Sequence, residues 1–338
     1  SFEFYRYEDI IKKEDDAGYD KTAFEKMLEI KGDSDHTKLI DMLTDLNDYS
    51  IGIEDVLKEH FDEENIVYWM AFQILMGNVD TQNRNVYLYS PLNSDIWYFI
   101  AWDNDGCLMR PEYELRNFSD QNSWEKGISN YWGNILFQRC LKSRSFREKL
   151  NDAILDLREY LNKDMLTSKI ESYKNVLKPY LYLMPDAEYE PLTSEQYDQI
   201  AASLPDEIEK NYQLYLESLE TPMPFYIGVP TIDGDKLKFN WDVSYDLDAE
   251  DITYSVEVAG DYLFRDVIYQ NTTLTVPEAE MDLPKAGQYF VRVRATNTSG
   301  KTQDAFDYYV TDEGKYYGMR CFYITEDSTV EEDDYEEG

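Results

Sequence analysis

Basic side chains are scarce in this sequence. It holds 32 lysines and arginines against 69 aspartates and glutamates, a formal net charge of -37. Such a surface repels nucleic-acid phosphates and anionic membranes. No basic stripe interrupts it, so no nucleic-acid partner is expected. A nucleoside triphosphate would need a divalent cation between itself and this chain. Histidine is almost missing: His36 and His60 are the only two and lie far apart. That argues against a His-rich zinc site and against a triad built on a neighbouring histidine. The three cysteines, Cys107, Cys140 and Cys321, are odd in number and widely spaced, with no CxxC pair and no disulfide framework. The redox compartment therefore stays open. Any metal would rest on carboxylates and amides, which favour Mg, Mn or Ca. Long apolar runs are missing too. The longest stretch, Ile66 to Val79, is broken by Gln73 and is too short to cross a bilayer. No leader peptide is read. A chain that starts at Ser1 reads as a mature or partial form, so location is not decided by that.

What is present is a globular composition: 43% of residues are apolar, and 30 of the 338 are tyrosine, suited to cores, clefts and interfaces alike. The length suggests two domains. The predicted fold class is α+β, a mostly helical domain with a β-hairpin followed by an all-β sandwich.

Helical periodicity is read at Phe24 to Ile30, Leu39 to Leu46 and Ile53 to Phe61. A further helix runs from Ile66 to Leu75, with Asp62 as its cap and Gly77 and Asn78 as its stop. Val86 to Tyr89 and Trp97 to Trp102 read as two strands around a turn at Pro91 to Asp95. Glu112 to Asn122 reads as a polar loop. Helices resume at Trp132 to Leu141, Phe146 to Leu161, Leu166 to Leu177 and Ser194 to Leu219, the last capped by Thr193 or Ser194. Thr221, Pro222 and Pro224 mark a boundary, after which the pattern alternates. Lys236 to Trp241, Thr253 to Val258, Thr273 to Val276, Gln288 to Ala295 and Phe306 to Val310 are the predicted strands. Tyr316 to Ile324 either adds a strand or docks on the first domain. Glu331 to Gly338 reads as a disordered acidic tail. The predicted domains are residues 1–221, 222–312 and a C-terminal segment, 313–338.

The informative stretch lies between Gly77 and Gly106. With the turn centred near Asn93, Asn85 would pair with Ala101 and Asn83 with Asp103. Asp80, Asn83, Asn85, Asp103 and Asp105 then gather at the open end of one hairpin. Like charges crowd together only when a cation or protons compensate. An Asp in a loop, an Asn a few residues on and an Asp after the next strand suit phosphoryl transfer, in which one carboxylate orients the acceptor hydroxyl and an Asp/Asn pair holds Mg. Two plainer readings stand beside this. Asn and Asp near hairpin ends often only satisfy turn backbone. Asp103, Asp105 and Gly106, with Glu112 in the twelfth position, echo a calcium loop, although a strand precedes them and Ala101 holds the first position.

Asn78-Val79-Asp80, Asn85-Val86-Tyr87-Leu88-Tyr89 and Trp102-Asp103-Asn104-Asp105 resemble the N-x-D, N-x-Y-L-Y and W-D-x-D pattern of the CotH spore-coat kinases. Tyr7-Glu8-Asp9, the helix Leu39 to Asn47, and Asn134 to Leu150 resemble the family's flanks, so the likeness covers about residues 1–220. It implies an atypical protein-kinase-like fold, with ATP and Mg or Mn as cofactors, Ca being the less favoured cation. It implies phosphorylation of serine in a secreted or coat protein. Asp80 then matches the catalytic Asp, and Asn85, Asp103 and Asp105 match the metal ligands. Trp102 is assigned to packing. Ala101 stands where the family usually has Pro. No Gly-rich loop precedes Asp80, and Lys12, Lys13 and Lys21 sit in a polar stretch. The family's N-lobe is thus expected to lie before Ser1, and this part alone is then expected to bind ATP poorly and to be inactive. The alternative is a non-catalytic scaffold or binding protein of the cell surface, cell wall or spore coat that keeps the kinase-like fold.

Phe239-Asn240-Trp241-Asp242, Tyr254 to Val258 and Leu283 to Thr296 resemble a fibronectin type III module, with Trp241 in its core and Tyr289 in its tyrosine corner. By association the module points to a secreted or surface setting.

Overall fold

A computed structural model describes residues 37–82, 85–111, 124–311 and 314–332. The predicted helix at Phe24 to Ile30, the lysines 12, 13 and 21, and Tyr7-Glu8-Asp9 lie outside the described residues, as do Asn83 and the whole predicted polar loop, Glu112 to Asn122. The chain is α+β and divides into two compact units. One holds residues 1–118 and 130–215, the other 119–129 and 216–338.

The first unit is organised around one apolar helix. Its described elements are α1 (Thr37–Asn47), α2 (Ile53–His60), α3 (Glu63–Met76), the hairpin β1 (Val86–Tyr89) and β2 (Tyr98–Ala101), α4 (Ile135–Lys142), α5 (Arg144–Tyr160), α6 (Lys163–Leu181) and the start of α7 (Ser194–Glu220). Helix α3 buries Ile66, Val67, Trp69, Met70, Ala71, Gln73, Ile74 and Leu75. Apolar residues on so many sides mark a central helix. Its start is fixed by the Asp62 carboxylate, which accepts from the Asn65 amide, and its end by Gly77 at φ 61°. Three later helices carry side-chain caps: Asn134 on α4, Ser143 on α5 and Asn162 on α6. On α7, Thr193 and Gln196 exchange hydrogen bonds as a capping box. Helix α4 starts at Ile135, later than the predicted Trp132, because Asn134 takes the cap position and Ser129–Tyr131 form a 3-10 turn.

The hairpin is anchored from below by an aromatic cluster. Phe99 is buried, with its ring 4.8 Å from Trp69, and Trp69 stacks on Phe137 at 5.5 Å. The Asn65 side chain acts as a further strand partner: its Oδ1 accepts from the Phe99 amide (2.6 Å) and its Nδ2 donates to the Phe99 carbonyl (3.1 Å). Val86 pairs with Ala101 and Tyr89 with Tyr98. The pairing is one residue away from the expected match of Asn85 with Ala101. The reason is Trp97. Its backbone is held by the His60 carbonyl and the Asp62 amide beside Phe61, so strand pairing with Tyr89 starts one residue later. A one-residue slip exchanges the faces of a strand. Here it leaves Tyr87, Tyr89, Ile100 and Trp102 in solvent.

The second unit is built from antiparallel sheets. In chain order its strands are β3 (Thr231–Asp233), β4 (Lys236–Asn240), β5 (Ile252–Ala259), β6 (Val267–Leu274), β7 (Glu278–Asp282), β8 (Gly287–Asn297), β9 (Thr302–Asp304), β10 (Tyr308–Thr311), β11 (Gly314–Tyr317), β12 (Met319–Ile324) and β13 (Val330–Glu332). One sheet has the order β3-β4-β7 and another β13-β12-β8-β5-β6, with β9 also on β8, while β10 and β11 form a hairpin. Leu237, Phe239 and Trp241 share one core with Tyr254, Val256, Val258, Val291, Val293, Phe322 and Ile324. The Tyr289 hydroxyl donates to the Lys285 carbonyl at 2.9 Å. Met319–Ile324 pairs with β8, which resolves where Tyr316 to Ile324 goes. Two strand expectations change. The strand placed at Thr273 to Val276 ends at Leu274 and starts at Val267, where alternate exposed residues had hidden it. Glu331 and Glu332, assigned to the tail, lie in β13, paired with Tyr323 and Phe322.

Candidate functional site

The end of α3 and the two ends of the hairpin meet around a group of amides. After Gly77, residues Val79–Gln82 form one 3-10 turn and carry Asp80. After β2, residues Asn104–Gly106 form another, introduced by Asp103 and carrying Asp105. Between them sit Gln73 and Asn78, both fully or nearly fully buried. The Asn78 Nδ2 donates to Gln73 Oε1 (3.0 Å) and to Asn104 Oδ1 (3.3 Å). The Gln73 Nε2 donates to the same Asn104 oxygen (3.2 Å). The Asn78 Oδ1 accepts from the Asp80 backbone amide (3.3 Å).

The turn with Asp80 is held from several sides. Thr81 is buried and its hydroxyl donates to the Asn78 carbonyl (3.0 Å), with the Tyr131 hydroxyl 3.0 Å away. Burial pushes the Tyr131 phenol well above its ordinary range. Asn130 Nδ2 donates to the Val79 carbonyl and Asn134 Nδ2 to the Gln82 carbonyl. The other turn is tied back to α3 by the Leu108 amide, which donates to the Met76 carbonyl (2.9 Å). Farther along, Arg110 reaches α7, donating to Glu207 (2.8 Å) and to Asn211 Oδ1 (2.8 Å). Asn211 in turn donates to the Leu75 carbonyl (2.9 Å).

The structure therefore brings the Asp80 turn and the Asp103–Gly106 turn together. A β-carbon at Gly106 would lie 3.0 Å from an Asp80 carboxylate oxygen and 3.0 Å from Asn78 Oδ1. Asn85 and Asp103 stand at the open ends of the two strands, both left-handed, at φ 54° and 52°. Asn and Asp tolerate that region better than other side chains, and such residues cluster where function imposes a conformation. Asp103, Asp105 and Asp80 are exposed. Among the described residues, ion pairs such as Arg110–Glu207 and Lys149–Glu63 do not use Asp80, Asp103 or Asp105. Among the described residues, no three carboxylate, histidine or cysteine groups converge closely enough to cage a metal. Cys107 lies beside both turns. Burial, with the charges of Asp105 and Asp80 adding to it, pushes its thiol up to about 12, so it stays protonated at neutral pH.

Trp102 departs from the packing role expected of it. It is 54% exposed and its ring lies 5.3 Å from that of Tyr87, on the outer face of the hairpin. The amides of Gln73 and Asn104, and the tie from Arg110 to Glu207 and Asn211, were not assigned to the site from sequence. Gln73 left one signal, a polar residue inside an apolar run. Glu207 and Asn211 left none, because they lie about a hundred residues away on an ordinary charged helix.

A family model described as CotH kinase protein matches residues 2–215. No curated protein matches the chain. Among solved structures, that of the surface layer protein SbsC, domains 1-6, aligns with 94% of this chain and 42% of that chain at 11% identity and a TM-score of 0.16, a likeness too slight to carry an argument. The chain thus spans less than half the length of the structure it matches.

Proposed function

The chain belongs to the CotH kinase protein family, and on that premise we propose that it transfers the γ-phosphoryl group of ATP to serine hydroxyls of a secreted, cell-surface or spore-coat protein. The observation that carries this reading is the meeting of two acidic turns over one buried amide group, with Asp80 on one turn and Asp103 and Asp105 on the other. Phosphoryl transfer asks mainly for positioning and charge compensation. This arrangement supplies the first from protein and leaves the second to a cation.

The donor set fits Mg or Mn. Asp103, Asp105 and Asn85 offer only hard oxygen donors near the site, and Mg is commonly held by one or two carboxylates together with substrate phosphates. Three converging ligands are not required for that. The metal would neutralise charge on the transferring phosphoryl group. The chain's own part is to hold Asp80 where its carboxylate can orient the serine hydroxyl and accept its proton. The Asn78 amide oxygen fixes the backbone of Asp80, and the left-handed Asp103 aims the second turn.

In the second unit, the β3-β4-β7 sheet facing the β5 and β8 sheet, the buried Trp241 and the hydroxyl bond of Tyr289 to Lys285 support a fibronectin type III-like module. Such a module suits attachment to a coat or wall protein. Among the described residues no helix is long and apolar enough to cross a membrane. The second reading is a non-catalytic scaffold that keeps the kinase-like fold, in which the acidic turns, whose carboxylates form no closed cage among the described residues, serve only as surface.

Labelled ATP with Mg or Mn separates the two. The full-length gene product should transfer label to itself or to a serine-rich protein, and Asp103→Ala and Asp80→Ala should each abolish transfer. A full-length protein that neither binds nucleotide nor transfers label is the scaffold.

A further inference from the structure

We propose that Gln73, Asn78 and Asn104 form a closed ring of amides that sets the spacing between the Asp80 turn and the Asp103–Gly106 turn, which makes Gln73 and Asn104 positioning residues for the transfer. Each pair within the ring is joined: Gln73 Oε1 to Asn78 Nδ2, Asn78 Nδ2 to Asn104 Oδ1, and Asn104 Oδ1 to Gln73 Nε2. The ring draws one residue from the body of α3, one from the residue after its cap, and one from the far end of the hairpin. It joins the end of α3, which leads into the Asp80 turn, to the turn that follows the hairpin.

The choice of amides has a physical reason. A polar side chain inside α3 is unfavourable unless its atoms are bonded, and both polar atoms of Gln73 are. An amide clamp is also neutral. Lysine or arginine here would neutralise the neighbouring carboxylates and compete with a cation. A carboxylate in place of Gln73 or Asn78 would lose a donor that closes the ring and add repulsion to Asp80, Asp103 and Asp105. Neutral donors and acceptors fix the two turns without changing the charge that the turns present. Asn104 occupies the open position of the W-D-x-D stretch, so the chain uses a position the motif leaves free. Gly106 completes the fit, since its lack of a side chain lets the second turn lie against Asn78 and Asp80.

The polarity of the ring dictates which changes it tolerates. Asn104 takes part through its oxygen alone, so Asn104→Asp keeps the acceptor and Asn104→Leu removes it. Gln73 both donates and accepts, so Gln73→Leu breaks two of the three links.

What is being positioned rests on the kinase reading; that the ring couples the two turns does not. The test therefore has two readouts on the intact chain. Residue-resolved hydrogen exchange is measured for wild type, Asn104→Leu, Asn104→Asp and Gln73→Leu. Asn104→Leu should speed exchange of the Asp80 amide at least tenfold, although the substitution lies on the other turn. Asn104→Asp should restore protection. Gln73→Leu should reproduce the effect from the helix side. Faster exchange confined to residues 104–108 overturns the ring. In the full-length product, kcat for label transfer should fall at least tenfold in Asn104→Leu, with KM for ATP within twofold. Wild type that transfers no label removes the kinase reading and leaves the exchange result to decide the ring. Active wild type with an unaltered Asp80 amide in Asn104→Leu removes the ring and leaves the kinase reading.

Discussion

Gly106 stands so close to Asp80 that a methyl group would press on it: a β-carbon there would lie 3.0 Å from a carboxylate oxygen of Asp80, and that side chain would have to give way by a few tenths of an ångström. The backbone of Gly106 is not left-handed, so space and not φ demands glycine. Gly106→Ala should displace the Asp80 and Asn78 side chains while the rest of the unit stays folded. The expected loss is about 1 kcal/mol of stability, the scale of a small overpacking error, with at least a tenfold loss of phosphoryl transfer in the full-length product. Thermal unfolding and label transfer measured together check this. Unchanged stability and transfer would mean that the two turns accommodate the methyl group and that their close approach is not required.

Arg110 is the bond between the end of the site and α7. Glu207 is almost wholly buried and keeps Lys210 as its second partner. Arg110→Met should cost about 2–3 kcal/mol, because a buried carboxylate loses its better-placed partner. Arg110→Lys should recover less than half of that, since a lysine ammonium is a point charge and does not reproduce the fork that reaches Glu207 and Asn211 at once. Urea denaturation measures both. A loss below about 0.5 kcal/mol for Arg110→Met, the range of an ordinary surface change, would show that the tie is dispensable.

Asn134 does two jobs with two atoms. Its Oδ1 caps α4 by accepting from Leu136 and Phe137, and its Nδ2 donates to the Gln82 carbonyl. Asn134→Asp keeps the cap and loses the second bond. Asn134→Ala loses both. Stability should fall by about 1 kcal/mol more in the alanine variant, whereas exchange of the amides in residues 79–82 should speed up equally in the two. Slower exchange in the aspartate variant than in the alanine variant would mean that the cap alone holds the turn.

Asp307, in the second unit, gives a pH signature. Burial pushes its carboxyl up to about 6 despite bonds from the Ile227 amide and Arg320. Its pKa is raised on folding, so the native state binds the proton more tightly than the unfolded chain. The stability from this group is full below about pH 4, its usual range, and is lost as pH rises through 6. The difference in unfolding free energy between wild type and Asp307→Asn should therefore shrink over that window, by at most about 3 kcal/mol. Parallel pH curves for the two proteins would show an unshifted carboxyl.

The sequence carried much of the first unit because its signals are local. Asp62, Gly77, Asn134 and Thr193 announce helix ends through short-range hydrogen bonds, and the structure places helix termini there. The acidic residues of the hairpin were visible for the same reason. The register was not, because Trp97 is claimed by His60 and Asp62, a tertiary contact that no turn rule contains. The amide ring was hidden by its composition. Asn78 and Asn104 read as ordinary turn residues, and only their common partner Gln73 distinguishes them. Strand β6 escaped because none of its residues is fully buried and its centre, Gln270 to Thr273, is polar, whereas the strands with buried apolar alternation, such as β8, were read nearly to their ends.

The bond from Asn211 to the Leu75 carbonyl spans 136 positions of the chain. On the ribosome, domains form as their residues emerge. Both acidic turns and the hairpin between them leave the exit tunnel long before Glu207 and Asn211 do. The last support of the site is thus among the last parts of its unit to be made. A chain truncated ahead of α7 would carry every residue of the motif and still lack the brace beneath it, so the order of synthesis itself delays completion of the site until the helical unit is finished.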